Sequence, residues 1–92
     1  MVLLSANEID AGLAELHGWE RAGEAIRKTF RLRDFVDSVG FVDRLVEPAE
    51  EMGHHPDVAI SWNRVTVSLT THSEGGLTPA DLDLARRIEA LA

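Results

Sequence analysis

The spacing of apolar and polar residues changes period several times along the 92-residue chain, and each change predicts a new element. Ser5 and Glu8 have the spacing of a capping box and predict a first helix through Leu16. Apolar and polar residues then alternate in segments 19–22 and 25–32, on either side of a short Gly-Glu turn. These segments predict a half-buried antiparallel pair of strands.

A second helix is predicted after Asp34, whose side chain can cap its first turn. The helix should end near Gly53. Pro48 lies inside the pattern, and because proline lacks an amide hydrogen and crowds the preceding turn, we expect a kink or a break there. The apolar residues that recur at helical spacing, and that we expect to form the buried stripe, are Phe35, Val39, Val42, Val46 and Ala49.

A second pair of strands is predicted over residues 58–62 and 65–70, with the turn at Asn63-Arg64. This turn would place Trp62 opposite Val65. Thr78, followed by Pro79, has the sequence of a helix start and predicts the last helix.

The predicted order of elements is α-β-β-α-β-β-α. Two antiparallel hairpins with helices segregated to one side are typical of the α+β class. The sequence therefore predicts an α+β fold: a four-stranded antiparallel sheet with three helices packed on one face, in a single domain over residues 1–92. Because so small a core is only marginally stable on its own, self-association is favoured.

Composition excludes several classes of partner. The formal net charge of −7 opposes a phosphate-binding surface, so no nucleic-acid partner is expected. No apolar segment approaches the ~20 residues of a membrane span, so no membrane partner is expected. The chain has no cysteine, which fits a reducing compartment, and we expect a cytoplasmic protein.

Three of the four histidines lie between positions 54 and 72. An unperturbed imidazole titrates at a pKa of about 6.5, so a cluster of histidines favours proton-transfer chemistry. With the turn at Asn63-Arg64, His55 would lie directly across the hairpin from His72. Glu50, at the end of the second helix and four residues before His54, could orient an imidazole or could simply be solvated.

The rival interpretation of clustered histidines is a metal site. Adjacent histidines rarely bind one ion, and neither a His-Glu-x-x-His motif nor a cysteine ligand is present, so proton transfer is favoured. His17 is interpreted as a surface residue and Trp62 as partly buried core. Asp81 has a sufficient explanation at the start of the last helix.

These residues resemble the pterin-4a-carbinolamine dehydratases. The similarity rests on the spacing of Glu50, His54-His55-Pro56, an aromatic residue at Trp62, His72 and Asp81, and it extends without an evident gap over most of the chain. It implies dehydration of a 4a-hydroxytetrahydropterin to the quinonoid dihydropterin, as a step of tetrahydrobiopterin recycling.

By this resemblance His54, His55 and His72 are catalytic, with protonation of the departing hydroxyl assigned to His54 or His72 and pterin anchoring to His55. The substrate-binding residues implied are Glu50, Gly53, His54, His55, Pro56, Thr70, Thr71, His72 and Ser73. No metal and no organic cofactor is implied, since positioned acids and bases suffice for the reaction. The family also implies a homodimer or homotetramer.

A second hypothesis from the same resemblance is non-enzymatic. Relatives of this fold act as coactivators or assembly factors, so the chain could be a protein-binding module. The presence of all three histidines favours the enzyme.

Overall fold

The computed structural model describes residues 3–92 and has the predicted α+β architecture. The predicted order of helices and strands is confirmed, with the second helix divided into two segments. No helix among residues 3–92 is long and apolar enough to cross a membrane. The elements are α1 Ala6–Ala14, β1 Glu20–Ala22, β2 Ala25–Arg31, α2 Phe35–Arg44, α3 Val46–Met52, β3 Asp57–Ser61, β4 Arg64–Leu69 and α4 Pro79–Glu89, with a 3₁₀ turn at His72–Glu74.

The sheet is antiparallel throughout, with strand order β1-β2-β4-β3. Alternate residues of β2 and β4 face the helices and are buried, as the period of two requires. The opposite face is polar, and there Thr29 and Thr66 hydrogen-bond across the two strands at 3.0 Å. The buried side chains of these strands are Ile26, Phe30, Val65, Val67 and Leu69.

The capping box predicted for α1 is present. Ser5 donates its backbone N–H to Glu8 Oε1 at 2.8 Å, and Glu8 donates its own N–H to Ser5 Oγ at 3.1 Å. The bond from the Ser5 backbone N–H, and after it a hydrogen bond with the Ser5 side chain, holds the pKa of the Glu8 carboxyl below its ordinary value. Because the folded pKa is lowered, this stabilisation is present at neutral pH and is lost as the pH falls through that pKa.

The long helix predicted after Asp34 is broken at Leu45, where α2 ends and α3 begins. Pro48 explains the break, because its ring would clash with the carbonyl of Arg44 four residues earlier, and α2 ends at that residue. The predicted buried stripe was wrong at three positions. Phe35, Val39 and Val46 are exposed, while the residues that face the core are Ser38, Phe41, Leu45 and Ala49.

Helix α4 packs its apolar face on the sheet and is also tied to the chain before β1. Trp19 donates its indole N–H to Glu89 Oε1 at 2.8 Å, and Lys28 forms an ion pair with the same carboxylate. The apolar residues that α4 buries are Leu82, Leu84, Ala85 and Ile88.

The β3–β4 hairpin differs from the prediction by two residues in register. Ser61 pairs with Arg64, so the turn residues are Trp62 and Asn63 rather than Asn63 and Arg64. Trp62 has a positive φ of 52°, as type I′ and type II′ turns of two-residue hairpins require at the first turn position. Its side chain is 67% exposed, so the prediction of a partly buried tryptophan was also wrong.

Candidate active site

A fully buried carboxylate, Asp81, holds together the two segments that carry the histidines. Its Oδ1 lies 2.6 Å from Nε2 of His54. Its Oδ2 accepts hydrogen bonds from the Thr71 hydroxyl at 2.8 Å and from the Thr78 backbone N–H at 2.9 Å. Asp81 therefore joins the chain after α3, the chain after β4 and the start of α4.

The contact with Asp81 fixes the tautomer of His54. An ionised carboxylate can only accept, so Nε2 of His54 carries a hydrogen and donates it. The other ring nitrogen, Nδ1, is then left to accept a proton. The His54 side chain is 13% exposed, so most of the ring is buried.

The end of α3 positions His54. Gly53 is in the left-handed conformation, with φ 58° and ψ 34°, and donates its N–H to the Glu50 carbonyl. His54 donates its backbone N–H to the Ala49 carbonyl at 3.0 Å. This pair of bonds is a Schellman motif, which turns the chain sharply away from the helix and directs His54 towards α4.

We expect Gly53→Ala to lower the free energy of unfolding by about 1–2 kcal/mol, because an L side chain is strained at positive φ. No neighbouring atom lies within 4 Å of the added Cβ, so the cost arises from the backbone alone. Gly40→Ala is the matched control. Gly40 is inside α2 with ordinary space around it, and the same change should raise stability by about 0.5–1 kcal/mol. Urea denaturation measures both, and equal effects would contradict the assignment.

His55 is the histidine that pairs with Glu50. Its Nε2 lies 2.5 Å from Glu50 Oε2, and both side chains are well exposed. They line an open, largely apolar cavity of about 190 Å³ together with Pro56 and Val58. The carboxylate orients the imidazole at the rim of this cavity.

His72 begins the 3₁₀ turn and is the most exposed of the three, with 78% of its side chain accessible. Its Nε2 lies 3.8 Å from Asp57 Oδ2, at the start of β3. It lines a cavity of about 360 Å³ with Thr70, whose hydroxyl donates to the Glu24 carbonyl at 2.6 Å.

The structure does not place His55 opposite His72. In the observed register Asp57 pairs with Ser68, and both histidines lie beyond the strand ends. The two segments are linked instead through Asp81, which binds a direct neighbour of each of these histidines. Each predicted catalytic histidine thus has a carboxylate beside it: Asp81 for His54, Glu50 for His55 and Asp57 for His72.

Sequence reasoning missed the roles of Asp81 and Asp57. The helix-start explanation of Asp81 is correct for the bond between its Oδ2 and the Thr78 amide. It did not account for the other carboxylate oxygen, Oδ1, which contacts His54. The sequence did contain a signal for Asp81, because Asp81 is the last residue of the spaced pattern that also includes Glu50, His54 and His72. Asp57 gave no signal, because an acidic residue at the end of a strand is more often exposed to solvent than part of a site.

Between residues 3 and 92, no three histidine, aspartate or glutamate side chains converge as ligands of one ion.

Comparison with known proteins assigns the family. The model of the family described as pterin 4 alpha carbinolamine dehydratase matches residues 2–91. This chain belongs to that family. A Thermosynechococcus vestitus protein named "Putative pterin-4-alpha-carbinolamine dehydratase" is 56% identical over 89 residues, covering 97% of this chain and 94% of the relative. A Mycobacterium avium protein of the same name is 46% identical and covers 99% of this chain and 97% of its own.

Solved structures of family members agree with the fold. The transcriptional coactivator/pterin dehydratase from Brucella melitensis is 38% identical, with a TM-score of 0.94 over 99% of each chain. A pterin dehydratase-like protein described as a RuBisCO assembly factor in the alpha-carboxysome is 28% identical, with a TM-score of 0.70 over 83% of this chain and 90% of that one. Members of the family are thus described both as enzymes and as assembly proteins.

Proposed function

We propose that this chain is a 4a-hydroxytetrahydropterin dehydratase, a carbon–oxygen lyase that forms quinonoid dihydropterin and water in tetrahydrobiopterin recycling. The observation that carries the proposal is the buried Asp81, which ties His54 to the segment of His72 in a chain of the dehydratase family. A pure binding surface has no need of a buried acid that orients an imidazole.

The reaction needs two proton transfers. A proton delivered to the 4a-hydroxyl lets the C4a–O bond break, with its electron pair leaving in water. Loss of the proton on the adjacent ring nitrogen then lets that nitrogen form the double bond to C4a. Each positioned acid or base contributes typically ~10²–10⁴-fold, so these residues need no metal or organic cofactor for the task.

The environments of the histidines support a division of roles. Asp81 keeps the hydrogen of His54 on Nε2, and the free Nδ1 is suited to accept the ring proton. His72 is exposed and only loosely paired with Asp57, so it is suited to reach the hydroxyl and protonate it. His55, oriented by Glu50, would anchor the pterin, with Gly53, Pro56, Thr70, Thr71 and Ser73 lining the site.

A titration with 7,8-dihydrobiopterin, a stable reduced pterin, tests the site. We expect saturable binding that shifts the ring NMR signals of His54, His55 and His72 and leaves that of exposed His17 unchanged. Failure of the pterin to bind, or binding that moves none of the three rings, would contradict the proposal.

A second candidate function is a protein-assembly or coactivator-type module. The RuBisCO assembly factor of similar fold favours it, as does the exposed apolar surface of α2 and β3. We also propose that the chain forms a homodimer or homotetramer, because so small a core leaves large apolar side chains uncovered. We propose a cytoplasmic location as well.

A further inference from the structure

The cavity beside His72 contains a carboxylate that the dehydratase mechanism has not used. Glu24 lines this cavity of about 360 Å³ together with His72 and the small residues Ala25 and Gly75. Among residues 3–92 the Glu24 carboxylate has no hydrogen-bond or ion-pair partner, and only its backbone carbonyl is bonded to another segment. Both carboxylate oxygens are therefore free to accept hydrogen bonds from a ligand.

The backbone of Glu24 is held in place although its side chain is exposed. Gly23 and Glu24 form the two-residue turn between β1 and β2, and Gly23 has the positive φ, 62°, that such a turn requires at its first position. The Thr70 hydroxyl donates to the Glu24 carbonyl at 2.6 Å. This bond ties the turn to the segment that leads into His72, so the two side chains border one cavity from fixed backbones.

The other carboxylates beside the three histidines are already engaged. Asp81, Glu50 and Asp57 each lie next to the ring of one histidine. Glu24 is the only acidic residue among those that line the cavity of His72. A ligand in this cavity therefore meets one free carboxylate and one imidazole.

A pterin has one edge that matches a free carboxylate. Its pyrimidine ring carries the N3–H and the 2-amino group side by side, so two N–H donors point in nearly the same direction. A carboxylate accepts two such parallel bonds from a guanidinium, and the pair is stronger than two neutral hydrogen bonds. N3 and C4a belong to the same six-membered ring, so a cavity that receives the 4a-hydroxyl can also receive this edge.

We infer that Glu24 recognises the pterin ring, accepting hydrogen bonds from N3–H and from the 2-amino group while His72 faces the 4a-hydroxyl. Thr70 then acts as a positioning residue, because its hydroxyl is already donated to the Glu24 carbonyl. This inference rests on the proposed function and names the substrate class of that site: pterins with a 2-amino group. A lumazine, in which an oxygen replaces the 2-amino group, loses one donor and sets that oxygen against the carboxylate.

Isothermal titration calorimetry with 7,8-dihydrobiopterin, and with the lumazine that carries the same side chain, tests the recognition. We expect the wild-type chain to bind the pterin about tenfold or more tightly than the lumazine. Glu24→Gln should reverse this preference. Its amide can donate to the lumazine oxygen and accept from N3–H, but it cannot accept from both donors of the pterin. The pterin affinity should fall about tenfold while the lumazine affinity rises.

Glu20→Gln is the matched control. It removes the same charge from the same hairpin, and Glu20 pairs with Arg27 at 3.3 Å outside this cavity. Both affinities should stay within about twofold of the wild type. A Glu24→Gln variant that keeps the preference for the pterin, or that loses affinity equally for both ligands, would overturn the inference and leave the dehydratase standing. A wild-type chain that binds neither ligand would contradict the proposed function, and the inference with it.

Discussion

Asp81→Ala is expected to lower the free energy of unfolding by about 3–5 kcal/mol, because it removes a buried acceptor and leaves its donors unpaired. The Thr71 hydroxyl, the Thr78 amide and His54 Nε2 all bond to this carboxylate, which has no exposed surface. Such a loss is a large part of the stability of a small domain. Urea denaturation monitored by circular dichroism measures it.

Asp83→Ala is the matched control for this prediction. Asp83 lies two residues further along α4 and makes an exposed ion pair with Arg86 at 2.8 Å. Exposed pairs contribute about 0–1 kcal/mol, so the control should remain near wild type. If Asp81→Ala fails to fold, Asp81→Asn keeps the shape of the side chain and should lose about 1–3 kcal/mol. Equal stabilities of the Asp81 and Asp83 variants would contradict the role of Asp81.

His72→Ala is expected to reduce the dehydration rate by about 10²–10⁴-fold, the usual contribution of one positioned acid or base. Because its side chain is exposed and only loosely paired, the free energy of unfolding should change by less than about 0.5 kcal/mol. A large kinetic loss with unchanged stability would separate a catalytic role from a structural one.

His17→Ala is the control for the kinetic measurement. His17 is exposed, and its backbone carbonyl accepts a hydrogen bond from Lys28 Nζ at 2.9 Å. The substitution should change neither rate nor stability. A His72→Ala variant as active as the His17→Ala variant would remove His72 from the mechanism.

Elements whose period is set by local sequence could be predicted. The capping box at Ser5, the break caused by Pro48 and the start of α4 at Thr78 all depend on residues close in sequence, and each is observed. The buried face of the second helix could not be predicted, because the helix carries two neighbouring stripes of apolar residues and either of them could face the core. Tertiary packing selects Phe41 and Leu45, while the stripe with Phe35 and Val39 remains exposed.

The geometry of the site depended on one turn. A tryptophan at positive φ is uncommon, so the sequence favoured Asn63 as the first turn residue, and the register moved by two residues. That error placed His55 directly opposite His72. The link through Asp81 joins residues 27 positions apart, and no periodic pattern reports such a contact.

The rate of decay of 4a-hydroxytetrahydropterin, generated in the same solution, tests the central claim most directly. We predict that the purified wild-type chain accelerates the decay well above the uncatalysed background, in proportion to protein concentration and equally with or without a metal chelator. Decay at the background rate in the presence of well-folded protein would contradict the dehydratase.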